Sequence, residues 1–111
     1  MGGDRHEPSR GPASSFTSDF VRALAALQTA VDELLASGWD EIARRRAQEL
    51  TLVLVRATKA ERWSESEGTL RALDSLLSLS AADPAPLRHG AGARMLDLLG
   101  FLRSARASRT A

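Results

Sequence analysis

Two histidines, His6 and His89, are the only imidazoles in this chain, and neither has a carboxylate or a second histidine three or four residues away. A helical metal site needs that spacing, because only such positions bring two ligands to one helix face. Cysteine is missing altogether, which removes disulfides, thiolate ligands and thiol nucleophiles together. The adjacent carboxylates Asp32-Glu33 and Asp40-Glu41 fall beside a helix-to-helix turn and read as solvated caps. General acid-base chemistry would instead require a carboxyl held in a dry pocket. No G-x-S-x-G turn occurs, so serine and histidine cannot be assembled into a hydrolase site. The chain is expected to be a non-enzyme with no cofactor and no metal.

Two other chemistries remain to be weighed. An exposed imidazole on a small helical bundle suits phosphotransfer, in which the ring accepts a phosphoryl group. Such domains usually carry a lysine and a glycine just after the histidine on a firm helix, whereas His89-Gly90-Ala91-Gly92-Ala93 reads as a loose segment without lysine. Nucleic acid could be bound by Arg44-Arg45-Arg46 and by Arg103, Arg106 and Arg109. The formal net charge is only +1, from 15 basic and 14 acidic side chains. The aromatic residues Phe16, Phe20, Trp39, Trp63 and Phe101 form no run on which bases could stack. Both readings are kept as alternatives to protein docking.

The residues that do stand out concern packing. Arg46 falls inside the apolar stripe expected for its helix, between Trp39, Val53 and Ala57, where a lone charge must snorkel, pair or face a partner. Glu49 on the same helix, and Asp32 or Glu33 on the helix before it, are the acids within reach. Leu52 and Val55 are expected to point away from the core, and Leu96 and Phe101 to flank the stripe of the last helix. Arg46, Leu52, Val55, Leu96 and Phe101 are therefore the candidate interface.

The elements that must position them follow from apolar periodicity. Residues 1–15, with their glycines and prolines and nothing at helical spacing to bury, are expected to be a disordered tail. Phe20, Leu24, Leu27, Val31 and Leu34 then repeat at 4-3-4-3, which predicts an amphipathic helix capped by Thr17 or Ser18 and stopped by Ser37-Gly38. A second helix opens at Asp40-Glu41 and meets no proline or glycine until Gly68. Its expected inward face is Trp39, Ile42, Ala43, Leu50, Val53, Leu54, Ala57 and Ala60. The run Leu50–Val55 could be a strand by alternation, but helix-forming sequence on both sides favours the helix.

Ser64-x-x-Glu67 has the spacing of a capping box and predicts the start of a third helix, with Leu70, Leu73, Leu76 and Leu77 as its stripe. Pro84 and Pro86 enforce a break. The last helix starts between Pro84 and Ala93 and buries Leu87, Ala91, Met95, Leu98, Leu99, Leu102 and Ala105, although Gly90, Gly92 and Gly100 weaken it.

With 111 residues and a hydrophobic content of 43%, one core suffices, so 16–107 should form a single helical domain followed by a frayed end at 108–111. The expected fold class is all-α, an antiparallel four-helix bundle or two stacked helical hairpins. No apolar run reaches the ~20 residues that span a bilayer, so no membrane partner is expected and the cytoplasm is the default compartment. The functional expectation is a helical protein-protein interaction module, acting as a homodimer or as an adaptor or accessory subunit on a regulatory partner.

Overall fold

A computed structural model describes the backbone of residues 7–110 and the side chains of residues 18–105. It contains four helices and, among the described residues, no strand: α1 (Glu7–Ala36), α2 (Glu41–Ala60), α3 (Ser64–Leu76) and α4 (Ala85–Thr110). No helix among the described residues is long and apolar enough to cross a membrane. The all-α expectation holds, and Leu50–Val55 is helical.

Each helix runs antiparallel to the next. The start of α2 meets the end of α3, where the Arg44 guanidinium donates to Leu77 O (2.7 Å) and the Gln48 amide to Asp74 Oδ1 (3.2 Å). Likewise Leu35 near the end of α1 lies over Gly92 near the start of α4, while Gln28, two turns earlier, takes a hydrogen bond from Arg103. Helix α1 packs on α2 and α4, α3 packs on α2 and α4, and among the described residues the backbones of the diagonal pairs stay further apart. The four helices thus enclose one core in an up-down-up-down bundle.

Both tight reversals use the same backbone device. At the end of α1 the Gly38 N–H donates to Leu35 O and the Trp39 N–H to Leu34 O, the paired bonds of a Schellman stop, with Gly38 at φ +73° as the sequence led one to expect. At the end of α2 the Arg62 N–H donates to Lys59 O and the Trp63 N–H to Thr58 O. Here a non-glycine residue, Arg62, holds the left-handed position at φ 61°. Each tryptophan then folds back towards the core. Trp39 is buried, and Trp63 meets Phe20 edge-on with ring centroids 5.4 Å apart. Because a left-handed conformation costs a side-chain-bearing residue about 1 kcal/mol, Arg62→Gly is expected to stabilise the fold by about that amount. A urea midpoint shifted upwards at unchanged slope would register the gain; an unmoved midpoint would mean that the exposed Arg62 side chain compensates.

Several boundaries and faces differ from expectation. Helix α1 spans Glu7–Ala36, with Pro8 in its first turn, where a missing N–H costs nothing. Of the expected tail, residues 1–6 lie outside the described residues. Ser18 stands inside the helix rather than capping it, the side chain of Thr17 lies outside the described ones, and Asp19 pairs with Arg22 at 2.7 Å. At the other end, α4 continues to Thr110.

The capping box at Ser64 does not form. Trp63 is the N-cap of α3 and gives no side-chain cap, because the Schellman stop delivers the chain one residue earlier than the serine spacing requires. Glu67 pairs with Arg71 instead (2.8 Å). Helix α4 covers His89–Ala93, so that segment is helical rather than loose, and Leu87 is exposed rather than inward.

The largest correction is the register of α2. Its buried residues are Ala47, Thr51, Leu54, Val55 and Thr58, whereas Ile42 and Val53 of the expected inward face are 79% and 48% exposed. Hydropathy could not choose, since apolar residues cover much of this helix. Sterics did. Between α1 and α3, α2 presents mostly small side chains, and its two buried threonines turn their hydroxyls back on their own helix. Thr51 Oγ1 donates to Ala47 O (2.8 Å) and Thr58 Oγ1 to Leu54 O (2.9 Å), so both hydroxyls are satisfied where no water reaches.

Candidate functional site

The consequence of this register is an aliphatic face of α2 turned away from the core. Ile42, Arg46, Glu49, Leu50 and Val53 recur at helical spacing, and with Arg45 and Ala26 of α1 they line a shallow groove along the outside of the α1/α2 pair. Leu50 is half-buried and forms its floor, while Ala26 is exposed and small. Asp40 fixes the entry of α2, its Oδ2 accepting from the Ala43 N–H at 3.1 Å.

Three consecutive arginines meet three different fates. The Arg44 side chain is only 16% exposed and bridges elements, donating to Glu41 Oε1 and Oε2 (2.9 and 2.8 Å) as well as to Leu77 O on the α3 side. Arg45 donates to Glu41 Oε2 at 2.8 Å. Hydrogen bonds from Arg44 first, then from Arg45, hold the Glu41 carboxyl down at about 2 from its ordinary 4.5. Arg46 is exposed and, among the described residues, has no ion-pair or hydrogen-bond partner, and the same is true of Glu49. The acids expected to meet Arg46 do not: Asp32 accepts from the Gln28 amide (3.2 Å), and Glu33 is exposed. Arg46 differs in this from Trp39, which is buried and donates its Nε1–H to Leu79 O at 2.8 Å. It lies in an apolar stripe, as the sequence indicated, but that stripe faces solvent.

The other candidate residues scatter. Leu52 is exposed on α2 but lies outside the groove, and Val55, expected to point outwards, is buried at 6% exposure because α3 packs over that side of α2. Leu96 and Phe101 are exposed on α4. Leu96 borders a second depression with Leu35, Trp39, His89 and Gly92, whereas Phe101 does not line either groove. Sequence reasoning missed Ile42 and Val53 because it assigned them to the core. The pairing of large outward aliphatics with small inward Ala47 and Thr51 was the available signal.

For the alternatives, His89 is exposed on regular helix, while the arginine run is largely tied to Glu41 and Leu77. His6 and the side chains of Arg106 and Arg109 lie outside the described residues. No group of three or more His, Asp or Glu side chains among the described residues is arranged to hold a metal ion. No protein-family model, no curated protein and no solved structure matches this chain.

Proposed function

We propose that this chain is a non-enzymatic helical interaction module that docks through the outer face of α2. One observation carries the reading. A bundle that buries threonine while leaving an isoleucine 79% exposed, in line with a valine on the same face, has spent its aliphatic side chains on a surface rather than on its own core. Aliphatic side chains recurring every three or four residues suit a helix laid along the groove. Interfaces of this kind combine apolar contacts with a polar rim, to which Arg45 contributes here.

The test is the paired substitution Ile42→Glu with Val53→Glu, checked first by circular dichroism and thermal melting. Both positions are exposed, so the fold should lose no more than about 0.5 kcal/mol. Association should be lost, whether with a second copy in sedimentation or with a protein retained by the tagged chain. If neither self-association nor retention depends on these residues, the reading fails.

A second reading draws support from a single feature, the exposed imidazole of His89 on the regular helix α4. It requires phosphoryl transfer to that ring. Incubation with acetyl phosphate, followed by mass spectrometry of the wild type and of His89→Ala, separates it from docking. Labelling that survives the substitution, or no labelling at all, ends it.

A further inference from the structure

We infer that the occupant of the α2 groove is a second copy of this chain, with α2 lying antiparallel to its symmetry mate. The inference rests on the docking reading above and names its partner. Ile42, Arg46, Glu49 and Val53 follow a 4-3-4 spacing, the seam pattern by which two helices interlock. They are also placed symmetrically about the point between Ala47 and Gln48. A two-fold axis through that point sets Ile42 against the partner's Val53 and Arg46 against the partner's Glu49, and the symmetry makes each pairing twice.

The same face thus carries its own complement in both shape and charge. Arg46 and Glu49 are unpaired among the described residues, although other acid-base pairs on α2 have formed. Their order along the helix explains this. The acid precedes the base in Glu41–Arg44 and Glu41–Arg45, whereas Arg46 precedes Glu49, the less favourable orientation for a contact within one helix. Across an antiparallel seam that order is immaterial, and both charges find partners. A parallel arrangement would instead place arginine beside arginine and glutamate beside glutamate. Ala26 at the groove wall is small enough to let a helix approach, and Leu50 on the floor gives it an apolar bed.

Charge reversal tests the register. Arg46→Glu leaves only acids at the two central positions and Glu49→Arg leaves only bases, so each single variant meets like charge twice across the seam. Self-association measured by sedimentation equilibrium should weaken roughly tenfold or more in each. An equimolar mixture of the two single variants should associate again as a heterodimer, and the double variant Arg46→Glu/Glu49→Arg as a homodimer. Because each single variant must fold for the mixture to recover, recovery also shows that neither loss was unfolding.

A wild-type chain that stays monomeric at about 100 µM, or a dimer indifferent to these reversals, overturns the inference. Should the monomeric chain still retain another protein in an Ile42- and Val53-dependent way, the docking reading survives without it. Should nothing depend on the face, both fall.

Discussion

Trp39→Ala is expected to destabilise the fold by about 3–5 kcal/mol, the range for deleting a large buried aromatic. That is a large share of the ~5–15 kcal/mol by which domains of this kind exceed their unfolded states. Three roles converge on this residue, two of them carried by its side chain. It is buried at the junction of α1 and α2, its Nε1–H satisfies Leu79 O beyond the end of α3, and its backbone N–H closes the Schellman stop on Leu34 O. It also holds a left-handed backbone at φ 77°, which a tryptophan adopts only because the packing repays it. Alanine keeps the backbone penalty and loses the packing and the indole bond. Trp39→Phe should fall between the two, losing the bond to Leu79 but keeping most of the apolar body. Urea denaturation gives both values, and a cost below about 1 kcal/mol for alanine would remove Trp39 as the keystone of this end of the bundle.

The second large effect separates two neighbours. Leu54→Ala is expected to cost about 2–5 kcal/mol, and Val53→Ala to remain within about 0.5 kcal/mol of the parent. Leu54 is fully enclosed between α1 and α3, whereas Val53 lies on the outer groove. The contrast tests the register of α2 directly, since a helix rotated to bury the Ile42–Val53 stripe would narrow or reverse it. Association should respond in the opposite sense, with Val53→Ala weakening it and Leu54→Ala acting only through the fraction folded.

Much of the fold is legible in the chain itself. The stripe of Phe20, Leu24, Leu27, Val31 and Leu34 is buried as its spacing required, because a helix with one apolar face has only one way to turn it inwards. Gly38 and the break before α4 were equally visible, one from the glycine, the other from Pro84. The core stripe of α4 was right for Ala91, Met95, Leu98, Leu99 and Leu102 but not for Leu87, which lies in the first turn beyond the reach of the packed faces.

Where local pattern was ambiguous, tertiary structure decided. Serine spacing suggested a capping box at Ser64, yet the stop centred on Arg62 set where α3 begins, and a left-handed arginine has no sequence signature. Exposure of Arg46 and Glu49 could not be read from a helix with apolar residues on several sides.

What the sequence by itself determined is therefore four helices, their approximate limits, the absence of thiol chemistry and three of the four inward faces. What only the tertiary structure decided is the face α2 turns to its neighbours. The reason is steric: hydropathy ranks side chains by their cost in water, but α2 is wedged between two helices. There the small Ala47 and the self-satisfied Thr51 and Thr58 allow close approach, and the larger Ile42 and Val53 are left outside, beside the unpaired Arg46 and Glu49.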